Sequence, residues 1–241
     1  MKRSHENTEA LISADDQITD LINQLQKSKE VFELYMNDYL CVFDVCFENI
    51  ICKETNDNPI SVSKCWKKNN VVENNGRLVC ADMICTSITN IDYNTISMFY
   101  SWDSITVSNF YVYTKNYLPT ELVNCILDLY GNKTVLKGVE GKEVEYLKSK
   151  EMVNSIYGMC VTNPLRDEYV FNGDVWGTIK SNPVELFDML EKHNNSNNRF
   201  LYYIWGIFVT AYARRNLFTG IHAVQNDYVY SDTDSIKIIR A

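Results

Sequence analysis

The longest apolar run of the chain, Phe200 to Ala213, is 14 residues and is followed directly by Arg214 and Arg215. A membrane-spanning helix needs about 20 apolar residues, so this run has to be covered by the rest of the chain as a buried helix. A helix that apolar demands a core around it, and 241 residues are enough to build one. The balance of 46% hydrophobic to 22% charged residues is that of a globular protein, and Gly (9) and Pro (4) are too few for a collagen-like or low-complexity chain. The first ten residues, MKRSHENTEA, contain no apolar stretch of the kind a secretory signal requires. The expected location is therefore cytoplasmic, with no membrane partner.

That location argues against a disulfide framework. The eight cysteines, Cys41, Cys46, Cys52, Cys65, Cys80, Cys85, Cys125 and Cys160, form no CxxC pair, and His5, His193 and His222 are far apart. A zinc site needs ligands paired at short spacing. The cysteines read instead as small buried hydrophobes. The net charge of −8 is localised: residues 1–60 carry 5 Lys and Arg against 12 Asp and Glu, and the rest carry 18 against 19. Charge alone neither supports nor excludes a nucleic-acid partner.

Along the chain, residues 13–36 read as a helix: Ser13 and Asp16 fit a capping box, and Ile18, Leu21, Ile22 and Leu25 fall at helical spacing. Residues 39–52 are rich in aromatic and β-branched side chains and predict a strand. A second β region spans 60–88, broken at Asn74-Asn75-Gly76, followed by a short helix at 91–101 and a strand at 103–113. Pro119 opens a helix whose apolar face runs through Leu122, Ile126, Leu129 and Tyr130 to Gly131, and a further helix covers 139–157. Residues 165–198 read as polar and irregular, with turn signals at Asn172-Gly173 and Asn194 to Asn198; a long helix at 199–222 and a hairpin at 227–239 complete the chain. Strands and helices mix without regular alternation, so the fold class is α+β.

Two segments carry chemistry. In Tyr230-Ser231-Asp232-Thr233-Asp234-Ser235, flanked by β-branched residues, two carboxylates two residues apart point the same way if extended. Like charges that close are costly unless a divalent cation neutralises them, and hard oxygen donors favour magnesium. The alternative is an ordinary Asp- and Ser-rich surface turn. In the second segment, Lys150, Asn154 and Tyr157 share one helix face, a cation, an amide and a phenol suited to a triphosphate, a base edge and a sugar. Gly158 is expected to close that helix. An amphipathic helix with a glycine cap is the bland alternative.

Together the two segments resemble motif B (KxxxNSxYG) and motif C (YxDTDS) of family B DNA polymerases. Their separation, Asn163-Pro164, and Phe208-Val-Thr210-Ala211-Tyr-Ala213-Arg214 before the acidic turn are similar to the protein-primed branch of phages and linear plasmids. The resemblance implies a partial palm and fingers with insertion segments: an acidic helical stretch at 1–38, a palm-associated β-rich region at 39–118, fingers helices at 119–164, an insertion at 165–198, and a palm helix with the motif C hairpin at 199–241. It implies Asp232 and Asp234 as catalytic metal ligands, Asp234 the more direct. It implies nucleotide binding by Lys150, Asn154, Tyr157 and Gly158, with Tyr157 crowding the place of a ribose 2′-hydroxyl. Lys133, Lys137, Thr233 and Ser235 are the implied DNA contacts, and Cys160 lies beside the insertion. The implied reaction is two-metal nucleotidyl transfer with Mg2+, from a dNTP to a primer 3′-hydroxyl or a protein primer. The partners it implies are template and primer DNA, dNTP, a terminal protein and a further polymerase part.

The departures matter as much. No DxxSLYP segment of motif A, which supplies the other metal-binding Asp, is found in residues 1–60; Asp38-Tyr39-Leu40 and Asp44-Val-Cys-Phe lack its continuation. The exonuclease motifs and the later KxY motif are absent as well. The resemblance therefore covers 39–241, and the chain alone is expected to be a poor catalyst. A non-catalytic nucleic-acid-binding remnant, one half of a split polymerase, and an interaction protein working through its acidic N-terminal helix are the competing readings.

Overall fold

The computed structural model describes residues 29–53, 57–165, 167–196, 201–232 and 235–239. Of the helix expected at 13–36, only the end lies among them, as part of α1 (Lys29–Asp38). The described residues fall into two compact units: one runs up to Asn116 and resumes at Thr210, and the other is Tyr117–Val209.

The first unit is built on a six-stranded sheet. β1 (Leu40–Cys52) pairs antiparallel with β4 (Arg77–Thr89), from Val42 opposite Thr89 to Ile51 opposite Cys80. β2 (Lys67–Asn69) and β3 (Val72–Asn74) pair with the far side of β4, while β5 (Tyr100–Ser101) and β6 (Ser104–Tyr113) pair with β1. The two-residue period of β1 puts Cys41, Phe43, Val45 and Phe47 into the core and leaves Asp44 and Glu48 on the other face. Ser87 and Asn109 donate to the Asp44 carboxylate. The core is aromatic: Phe43 stacks on Phe110 at 5.3 Å between ring centroids, Phe32 of α1 meets Phe43 edge-on at 5.8 Å, and Phe47 meets Trp102 at 4.9 Å.

α2 (Asn90–Phe99) begins with a capping box between Thr89 and Asp92. Buried Asn90 joins three elements, donating to the carbonyls of Met36 and Tyr39 at 2.9 Å each and accepting from the Cys41 amide at 3.1 Å.

One feature corrects the cysteine reading. The β1–β4 register sets Cys46 directly opposite Cys85, 4.0 Å between Cα atoms, and the two form a disulfide. The local sequence holds no trace of a partner 39 residues away. Cys41, Cys65 and Cys160 are free and buried as expected, whereas Cys125 is exposed.

In the second unit, α3 (Thr120–Leu136) and α4 (Glu143–Cys160) pack as a helical hairpin. α3 runs through Gly131 and α4 through Gly158, where the sequence had suggested ends; neither glycine has an atom within 4 Å of where a Cβ would stand. Length and packing outweigh the ~1 kcal/mol that an interior glycine costs. Residues 165–198, expected to be irregular, contain a hairpin of β7 (Glu168–Phe171) and β8 (Trp176–Ile179) and a helix α5 (Pro183–Asn194). Asn182 caps α5 reciprocally with Glu185.

α6 (Tyr203–Val224) holds the apolar run from Tyr203 onward. It is buried on one side, at Phe208, Ala211, Phe218 and Ile221, and exposed at Val209 and Tyr212. No helix among the described residues is long and apolar enough to cross a membrane.

Candidate functional site

The acidic turn ends β9 (Tyr228–Asp232), which pairs antiparallel with β10 (Ser235–Ile238). Asp232 stands opposite Ser235, whose hydroxyl donates to the Asp232 carbonyl at 3.2 Å. Thr233 and Asp234 lie outside the described residues, and Asp232 is the member of the expected carboxylate pair that lies among them. Asp232 is exposed, as are the apolar Val229, Tyr230, Ile238 and Ile239 of the same hairpin.

What holds the hairpin is specific. Ile236 packs into a notch left by Gly220 of α6, where a Cβ would meet the Ile236 Cδ1 at 2.6 Å. The Tyr228 hydroxyl reaches Asp57 Oδ2 at 3.3 Å and Ser231 Oγ at 3.0 Å, and burial raises its phenol pKa. α6 is tied to the sheet by Arg214, whose guanidinium donates two bonds, 2.8 and 2.9 Å, to Asp92 at the start of α2. Phe218 adds an edge contact with Phe99 at 5.5 Å.

In the second unit, α4 shows two faces. Tyr146, Ser149, Val153, Ile156 and Cys160 are buried or half-buried, at spacings that put them on one side. Lys150, Asn154, Tyr157 and Gly158 are all exposed beside that seam, so Lys150, Asn154 and Tyr157 form a continuous polar stripe open to a ligand. On α3, Lys133 is half-buried with its Nζ 5.4 Å from the Tyr130 ring centroid, and Lys137 at the helix end is exposed. The stripe of α4 and the hairpin of β9 and β10 fall in different units.

α4 is seated by α6 through a second glycine. A Cβ on Gly206 would stand 2.4 Å from Val161 Cγ1 and 3.2 Å from Cys160 Cβ. Val161 is β-branched and cannot yield easily. Gly206→Ala is expected to destabilise the second unit by about 1–2 kcal/mol, the overpacking strain exceeding the helix-propensity gain. Gly131→Ala, into open space, is expected to stabilise by about 0.5–1 kcal/mol. Urea titrations of the two variants test this, and equal midpoints would refute it.

No group of three or more His, Cys, Asp or Glu side chains that could hold a metal ion occurs among the described residues. Among the described residues, the carboxylate at the tip of the hairpin is Asp232, which is exposed. Magnesium fits so sparse a set, because it keeps several waters and takes phosphate oxygens as further ligands.

The residues sequence reasoning missed are Asp57, Arg77, Gly220 and Tyr228, which support the hairpin, Asp92, which ties α6 to the sheet, and Gly206, which seats α4. Of these, only the two glycines inside an apolar helix carried a signal, since an interior glycine calls for a packing reason.

No protein-family model matches the chain, and no curated protein matches it significantly. Solved structures do. Phi29 DNA polymerase complexed with primer-template DNA superimposes with a TM-score of 0.61 at 20% identity, covering 85% of this chain and 32% of that one. Its ternary complex with primer-template DNA and incoming nucleotide substrates gives 0.58 at 19% identity, covering 83% and 32%. The orthorhombic crystal form gives 0.57 at 19%, covering 85% and 33%. The chain is thus α+β with the fold of part of a DNA polymerase, and it spans about a third of that polymerase's length.

Proposed function

We propose that the chain is a palm-and-fingers part of a template-directed DNA polymerase of the protein-primed family B type, joining a dNTP to a primer 3′-hydroxyl or to a protein primer. The observation that carries this reading is the coincidence of a polymerase-part fold over most of the chain with the KxxxNSxYG and YSDTDS segments on a helix and a hairpin. On this reading α3 and α4 are fingers helices, 165–198 is an insertion, and the end of α6 with β9 and β10 belongs to the palm.

Lys150 meets the triphosphate, Asn154 and Tyr157 line the base and sugar, and Gly158 leaves room beside them. Asp232 with Asp234 holds magnesium; Thr233 and Ser235 adjoin the primer, and Lys133 and Lys137 contact DNA. Magnesium bound there supplies charge neutralisation on the triphosphate and a lowered pKa for the attacking hydroxyl. Template and primer DNA, dNTP, a terminal protein and a further polymerase part bearing the third carboxylate are the partners this reading entails.

The test at the nucleotide site is a titration of the chain with a fluorescent dNTP and magnesium. Lys150→Ala is expected to weaken binding about tenfold, the loss of one charged hydrogen-bond donor. Unchanged affinity in a folded variant would remove Lys150 from the triphosphate site.

A further inference from the structure

Among the described residues, β9 and β10 pair only with each other and stand apart from the six-stranded sheet. An isolated two-stranded hairpin is marginal in water, so the direction in which Asp232 is presented depends on what the hairpin leans against. Ile236 against Gly220 fixes one side by packing, which sets distance but leaves rotation open. The other side is polar and directional.

The chemistry of that side sets the direction of each bond. A carboxylate only accepts, so the Tyr228 hydroxyl donates to Asp57 Oδ2, 3.3 Å away. Its oxygen is then the acceptor for Ser231, 3.0 Å away. Asp57 is itself held, with Oδ1 3.5 Å from Arg77 Nε, and Arg77 also donates to the Pro59 carbonyl at 3.4 Å. The Tyr228 ring packs against the core of the first unit. A chain of hydrogen bonds thus runs from the loop before Ile60, through one phenol, to the residue preceding Asp232.

We infer that Tyr228 is a positioning residue for the metal-binding carboxylate: its hydroxyl, anchored on Asp57, locks Ser231 and with it the backbone that aims Asp232. The inference rests on the proposed reading of Asp232 as a metal ligand and adds to it the device that orients that ligand.

The experiment uses the full chain and Mn2+ as the probe, followed by electron paramagnetic resonance, with amide exchange at Ser231 and Asp232 as a second readout. Tyr228→Phe removes one hydroxyl and keeps the ring; it is expected to raise the apparent Kd for Mn2+ about fivefold, the worth of a hydrogen bond, and to speed exchange at both amides. Asp57→Ala should match it, while Asp57→Asn, whose amide oxygen still accepts from the phenol, should stay within about twofold of the unaltered chain. Wild-type Mn2+ affinity in Tyr228→Phe would overturn the inference. An unaltered chain that binds no Mn2+ would instead sink the metal reading, and amide exchange then decides on Tyr228: faster exchange in Tyr228→Phe supports the anchor, and unchanged exchange overturns it.

Discussion

Asp232→Asn is expected to lower magnesium-dependent primer extension by roughly a thousandfold, because a metal-held charge contributes several kcal/mol to the transition state. The substitution is nearly isosteric and the side chain is exposed, so the thermal transition should not move. The hairpin is expected to keep its place, since the Ile236–Gly220 packing and the Tyr228–Asp57 bond hold it and the substitution leaves both intact. The assay is extension of a primed template with magnesium and dNTPs, by the chain alone and with a polypeptide bearing a DxxSLYP segment added. Extension confined to the mixture and lost with Asp232→Asn would identify this chain as the carrier of motifs B and C. An Asp232→Asn chain as active as the unaltered one would refute the assignment. No extension by the unaltered chain, alone or in the mixture, with DNA still bound, would leave a nucleic-acid-binding protein.

How much of this was legible depends on how far apart in sequence the deciding residues are. β1, the break at Asn74-Asn75-Gly76 and the hairpin after α6 follow from local alternation and turn chemistry, and they stand within a residue or two of their expected places. The errors have two physical origins. In α3 and α4, Gly131 and Gly158 carry the sequence signal of a stop, yet both sit in open space on helices long enough to absorb them. In 165–198 the turn signal at Asn172-Gly173 is real and joins β7 to β8, but the polar composition obscured the strands around it and the complete helix start at Asn182-Pro183 with Glu185. The polar supports of the hairpin and of α6 were beyond local reading altogether. Asp57 lies 171 residues from Tyr228 and Asp92 lies 122 from Arg214, so only the fold brings them together. The stripe of Lys150, Asn154 and Tyr157 was readable because helical spacing alone puts it on one face.

Breaking the Cys46–Cys85 bond is expected to destabilise the first unit by about 3–4 kcal/mol, the loop-closure entropy for a bridge across 39 residues. The bond joins the two central strands of the sheet, and the ladder on both sides of it, from Val42–Thr89 to Ile51–Cys80, remains when it is gone. The effect therefore falls on the unfolded chain, which regains conformations the bridge forbids, and the native fold should survive. The melting midpoint would drop by roughly 10 °C for a unit of this size. Calorimetry of the oxidised chain with and without dithiothreitol measures this, with peptide mapping to establish the pairing and Cys125→Ser, an exposed free thiol, as the control. A midpoint indifferent to reductant in a chain shown to carry the bond would refute the expectation, and a chain that fails to form the bond under oxidant would refute the pairing itself. The result bears on compartment as well. A cytoplasm keeps such a bond reduced, so in the expected location the first unit would work at its lower stability, resting on its aromatic core and the β1–β4 ladder.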